Sequence, residues 1–122
     1  MFMITLLSVA AGGAIGAALR FLVGLGIGLP LGTFAVNVAG SLVMGALAAI
    51  LLFGDKGPSP LAPFLMTGVL GGFTTFSAFS LDVLRLVESG RFGMAAIYAS
   101  ASFILSIAAC AVGLWVARAV MA

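Results

Sequence analysis

Four long stretches without a single charge divide this chain, and they constrain its fold more than any other feature. Met1 to Leu19, Leu31 to Phe53, Leu61 to Leu81 and Phe92 to Ala117 contain no Asp, Glu, Lys or Arg. A helix needs about 20 predominantly apolar residues to cross the hydrocarbon of a bilayer. Only helices and closed barrels satisfy every backbone polar group there. The runs therefore predict an all-α membrane protein with four transmembrane helices in one domain, residues 1–122. Between them lie Arg20, the turn signal "GIGLPLG" around Pro30, the polar loop "GDKGPSP", and a cluster of Asp82, Arg85, Glu88 and Arg91 around "ESG". Met1 to Leu19 lacks the basic start of a signal peptide, and the chain stays apolar beyond it, so it reads as a retained span. Trp115 and Arg118 fit an interfacial anchor closing the last helix.

Composition removes the water-soluble reading. Charged residues make up 7% of the chain, against about a quarter in an ordinary soluble domain, and the mean hydropathy is +1.39. The net charge of +2 comes with no basic run, so nucleic acid is not an expected partner; the lipid bilayer is. Cys110 is the single cysteine and has no internal disulfide partner. There is no histidine, no cysteine pair, no triad and no phosphate-binding loop, so the chain does not read as an enzyme. Asp82 falls at the end of its apolar run, which leaves a mid-membrane proton relay without a carboxylate.

Lys and Arg bias sets membrane topology, and here it is nearly balanced. With four spans, Lys56 and Arg118 fall on one side and Arg85 and Arg91 on the other, with Arg20 approaching the second side from within the first span. Charge alone leaves two insertions open: one topology weakly specified, or both used. Dual insertion would permit an antiparallel dimer.

Polar residues inside the spans are arranged in stripes. Thr33, Asn37 and Ser41 recur at four-residue intervals in the second span, and Tyr98, Ser102 and Ser106 do the same in the fourth. Positions four apart share a helix face. Serine and threonine in membrane helices often bond their own backbone or sit at helix contacts. Asn37, with two donors and an acceptor to satisfy, must face protein or water. Gly12/Gly16, Gly24/Gly28 and Gly68/Gly72 have the small-xxx-small spacing of closely packed helices. Arg20 is the one ionised group well inside an apolar segment; it either snorkels to the interface or faces an aqueous vestibule that attracts anions.

The segment "GGFTTFSAFS", Gly71 to Ser80, concentrates glycines, hydroxyls and phenylalanines in the third span. It predicts a helix broken near its middle, tolerated at membrane depth only where it is buried in protein or lines a cavity. A break exposes carbonyls on one side and amides on the other. A phenyl ring has a positive edge, so Phe76 and Phe79, three apart, could turn edges to an anion while Ser77, Ser102 and Ser106 replace its hydration water. The alternative is that the rings face lipid or a neighbouring helix.

The segments "GAIGAALRF", "GTFAVNVAGS", "GFTTFSAFSLD" and "YASASFILS", in that order and one per span, closely resemble the Fluc (CrcB-type) fluoride channels. The resemblance covers the whole chain. It implies an antiparallel, dual-topology homodimer in the inner (plasma) membrane of a bacterium, exporting fluoride passively through two pathways around a structural sodium ion. Carried onto this sequence, it implies that backbone carbonyls of Gly71 and Thr74 from both subunits hold the sodium. Phe76 and Phe79 would line the pore, Asn37 would contact fluoride, and Ser77 would lie on a hydroxyl track beside the rings. Tyr98, Ser102 and Ser106 would form the polar face of the fourth helix, with Thr33 on the facing stripe and Arg20 near the vestibule. Ala78 stands where the track often carries threonine or serine, and Asp82 where glutamate is more usual. Gly71 is expected to need glycine's backbone freedom. Two other classes share the four short spans. A small proton-coupled antiporter would carry a glutamate within a span. A non-catalytic membrane assembly subunit would share the small-residue packing without needing aligned polar stripes.

Overall fold

The computed structural model describes residues 1–122, and its four apolar segments are helical. Helix α1 is Phe2–Ile27, α2 is Leu31–Leu51 and α5 is Phe92–Met121. The third span is in two pieces. Its first piece, α3, winds as a π-helix over Pro63–Leu70 and closes as one α-helical turn, Gly71–Phe73; its second, α4, is Phe76–Glu88. Between them the backbone is extended at Thr74 (φ −88°, ψ 156°) and Thr75 (φ −155°, ψ 123°). All four spans are long and apolar enough to cross a membrane, the third running Pro63–Glu88 through its break. The chain is a multi-pass membrane protein.

The helix ends differ from the charge-defined runs. α1 continues through Arg20, the third span reaches Glu88, and α5 passes Arg118. Arginine is a good helix former, so a charge ends an apolar run without ending a helix. Turn chemistry does that. Gly28 (φ 86°) follows α1 and Gly90 (φ 77°) follows α4, both in the left-handed region that favours glycine. Pro63 opens α3, where the amide it lacks would have no helical partner.

Packing runs in two seams. α1 lies along α3 and α2 along α5. In the first seam a Cβ added at Gly12 would meet the Phe64 carbonyl oxygen at 2.6 Å, one at Gly72 the Gly13 carbonyl at 2.5 Å, and one at Gly16 would run into the Val69 carbonyl. The pairs Gly12/Gly16 and Gly68/Gly72 thus bring backbones together, as small residues do in membranes. Gly24 and Gly28 do not act as a pair: Gly28 forms the turn, and Gly24 lies against Gly32. The second seam uses Gly45 against the Cys110 carbonyl and Gly113 against the Leu42 carbonyl, a pair set on different helices. At the end of α5, the Arg118 guanidinium sits 5.3 Å from the Phe53 ring centroid, while Trp115 projects outward, in keeping with an anchor.

Only 18 of 122 residues are buried, among them Val36, Ala49, Leu70 and Leu86. Such a thin core leaves broad apolar faces exposed on the chain, Leu22 and Ile104 among them.

Candidate functional site

The site is built at the break in the third span. An unwound backbone must find partners for its amides and carbonyls, and a side chain from α2 supplies two. The Thr75 amide donates to Asn37 Oδ1 at 2.8 Å, and Asn37 Nδ2 donates to the Thr75 carbonyl at 2.9 Å. An N–H can only donate and a C=O can only accept, so this pair fixes which way the Asn37 carboxamide points. One Asn37 N–H remains uncommitted. Thr75 then starts α4, its Oγ1 accepting from the Ala78 amide at 3.1 Å as an N-cap. Arg20 reaches in from α1, its Nε donating to the Gly72 carbonyl at 3.0 Å. Its Nε end thus satisfies one carbonyl of the break, and the residue also lines a second cavity.

Several carbonyls there stay bare, those of Gly71 and Thr74 among them. In a continuous helix the Gly71 carbonyl would accept from Thr75 and the Thr74 carbonyl from Ala78. Both amides are taken by side-chain oxygens, and neither carbonyl accepts a backbone N–H. These are hard oxygen donors of the kind that suits a cation such as sodium. The residues expected to hold that ion thus fit it on the chemistry of this break. The backbone freedom expected of Gly71 is not used, however. Its φ of −62° and ψ of −37° are ordinary helix, and an added Cβ would touch nothing closer than the Met66 carbonyl at 3.6 Å.

Beside the break lies an open-sided cavity of about 440 Å³. The lower parts of both polar stripes face it: Asn37 and Ser41 from α2, Ser102 and Ser106 from α5. Gly71, Thr74 and Thr75 form its floor, and Phe76 and Phe79 its side. The two rings stand 5.5 Å apart between centroids, tilted by 56°, so they do not stack face to face. The hydroxyl oxygens of Ser102 and Ser106 are buried and have no hydrogen-bond partner within the chain. Buried polar groups are almost always paired, so these two are set up to bond something that enters the cavity.

Four expected residues lie elsewhere. Ser77 is exposed on α4, with Oγ 3.2 Å from Thr75 Oγ1, and does not line the cavity. Thr33 is buried and lines a second cavity of about 320 Å³, with Arg20, Thr75 and Ala78. Tyr98 is buried behind Phe79, 5.5 Å between ring centroids, and its hydroxyl donates to Asp82 Oδ2 at 3.2 Å. Thr75 borders both cavities, so the polar residues form two chambers that share one wall. Asp82 was the residue least visible from sequence. It is 3% exposed and well inside α4, not at the end of its helix, with Arg85 Nη1 3.8 Å from Oδ1. Its spacing from Tyr98 carried no signal, because the pairing spans a turn and two helices.

Comparison with known proteins adds to this geometry. Residues 7–114 match the family described as "CrcB-like protein, Camphor Resistance (CrcB)". A relative from Ruegeria sp. (strain TM1040) is 52% identical, with 98% of each chain covered. One from Paracoccus denitrificans (strain Pd 1222) is 51% identical, covering 97% of this chain and 98% of its own. One from Hyphomonas neptunium (strain ATCC 15444) is 52% identical, covering 95% and 97%. All three are named "Fluoride-specific ion channel FluC". With the family matched across all four spans and these relatives about half identical along nearly the whole length, the chain belongs to the CrcB-like family.

Proposed function

We propose that the chain is a fluoride-selective channel that lets the ion leave the cell passively across the plasma membrane. The observation that carries this reading is the pair of buried, unpartnered hydroxyls, Ser102 and Ser106, facing a cavity whose side is the Phe76 and Phe79 rings. Fluoride is small and strongly hydrated, so a path must offer many donors. Hydroxyls, one Asn37 N–H and ring edges offer them without a fixed cation to trap the ion. The names of the relatives support the same ion.

The working unit is an antiparallel, dual-topology homodimer with two such pathways. Supporting this are the near-balanced basic residues, the broad apolar faces, and the bare carbonyls of the break, which need cover or a ligand. Sodium bound by the Gly71 and Thr74 carbonyls would supply positive charge to satisfy them at the break. The chain's own residues do the rest: Asn37 and Thr75 shape the break, and the serines and rings line the path.

The test is efflux from proteoliposomes loaded with fluoride, with chloride as comparison ion. Selective fluoride efflux without a proton gradient supports the channel. Efflux that requires an opposing pH gradient would favour a proton-coupled antiporter, to which the buried Asp82 gives some physical basis. No ion flux at all would leave a membrane assembly subunit.

A further inference from the structure

The Gly71 and Thr74 carbonyls are bare for a reason that can be traced to two oxygens. We propose that Asn37 and Thr75 are positioning residues that keep the third span broken, each by taking an amide away from one carbonyl. The inference deepens the proposed sodium site and rests on that reading only for what the freed carbonyls bind.

The geometry assigns one carbonyl to each oxygen. Asn37 Oδ1 accepts the Thr75 amide, which would otherwise close on Gly71 four residues earlier. Thr75 Oγ1 accepts the Ala78 amide, which would otherwise close on Thr74. Asn37 Nδ2 also donates to the Thr75 carbonyl, so the break is held from outside by α2 and from inside by its own cap. An amide left unpaired at membrane depth is costly. Removing either oxygen should therefore send its amide back to the nearest carbonyl acceptor along the helix. The break would close by one bond at a chosen place, and the matching carbonyl would cease to be free.

Asn37 also explains how the two ligand chemistries of the site are joined. Its oxygen and one N–H serve the break, and the residue also lines the cavity. One side chain thus shapes the carbonyl face and lines the path beside it.

The sequence makes the test unusually direct. Gly-Gly occurs only at Gly12–Gly13 and Gly71–Gly72, and Thr-Thr only at Thr74–Thr75. Labelling with carbonyl-¹³C and amide-¹⁵N glycine therefore isolates the Gly71 carbonyl by solid-state NMR in lipid bilayers, with Gly12 as internal reference. Carbonyl-¹³C threonine isolates that of Thr74 when residue 75 carries the amide-¹⁵N label, as threonine in the parent, alanine in Thr75→Ala and serine in Thr75→Ser, since no other threonine precedes any of these residue types. A carbonyl that gains a hydrogen bond moves downfield. The expected result is that Asn37→Leu moves the Gly71 signal, Thr75→Ala moves the Thr74 signal, and Thr75→Ser, which keeps the cap oxygen, leaves both in place. Asn37→Asp, which keeps an acceptor for the Thr75 amide, should leave Gly71 near its parent position. If Asn37→Leu does not fold, Thr75→Ala decides alone: an unmoved Thr74 carbonyl overturns the proposal. If both variants fold and neither carbonyl moves, it is overturned as well. Recording the parent in sodium and in choline separates the two readings. Parent signals that ignore sodium while the substitutions still move them sink the sodium site and leave the positioning role standing.

Discussion

The Tyr98 hydroxyl donates to Asp82 across 3.2 Å and joins α5 to α4 at the one buried acid of the chain. Tyr98→Phe keeps the ring beside Phe79 and removes that donor. Asp82 is then left with Arg85, 3.8 Å away on a largely exposed side chain. Leaving a buried acceptor unsatisfied costs about 1–3 kcal/mol. The variant should unfold earlier than the parent in a thermal melt of the purified protein, and Asp82→Asn, which keeps an acceptor for Tyr98, should lose less. A Tyr98→Phe melt that overlays the parent would mean the bond contributes nothing.

Phe76 and Phe79 meet at an angle beside two unpartnered hydroxyls, whereas Phe73 packs toward Gly40 on the other side of the break. Isoleucine keeps apolar bulk and removes the ring quadrupole. Losing about 0.5–1.5 kcal/mol of edge interaction at a barrier slows passage by up to roughly tenfold. Fluoride efflux should fall for Phe76→Ile and Phe79→Ile and stay near normal for Phe73→Ile. Parent-like efflux from both of the first two would assign the rings to packing.

The glycines divide into two groups that a melt can tell apart. A methyl at Gly45 would run into the Cys110 carbonyl and one at Gly113 into that of Leu42, so Gly45→Ala and Gly113→Ala should each cost about 1–3 kcal/mol. Gly93, inside α5, has open space around it, and Gly93→Ala should be neutral or stabilise by up to about 1 kcal/mol through helix propensity. Gly71 joins the tolerant group within the chain and Gly72 the intolerant one. Equal melting temperatures for Gly45→Ala and Gly93→Ala would contradict the seam.

Lys56 lies in the exposed loop between α2 and α3. In a Cys110→Ala background, Lys56→Cys should react with a membrane-impermeant thiol reagent from both sides of native membranes. Adding two or three lysines to that loop should shift labelling toward one side. One-sided labelling of the unmodified loop is the result that dual insertion does not survive.

Much of this architecture was legible in the sequence because bilayers impose long apolar runs and because four-residue spacing fixes a face. The four spans, a break within the third, and the alignment of Asn37 with Ser41 and of Ser102 with Ser106 follow from patterns within single helices. What escaped depends on contacts between helices. Sequence leaves Arg20 either snorkelling or facing a vestibule, and gives no sign that its Nε bonds a carbonyl 52 residues away. Asp82 was read from the end of an apolar run, yet the helix continues to Glu88 and a tyrosine 16 residues on receives it. Gly45 and Gly113 lack the spacing of a pair because their partners are carbonyls on the opposite helix. Thr33 and Ser77 share the composition of the path, but Thr33 faces the second chamber and Ser77 the outside.

Where α1 meets α3 and α2 meets α5, main chain lies on main chain with hardly a side chain between. A soluble domain accepts almost any residue on its outside and guards the large ones within. Here the guarded positions hold the smallest residue there is, while large apolar residues on the outer face can be exchanged for one another at little cost. A complete substitution map of this chain would therefore look like that of a soluble protein turned inside out, with its strictest columns at glycine.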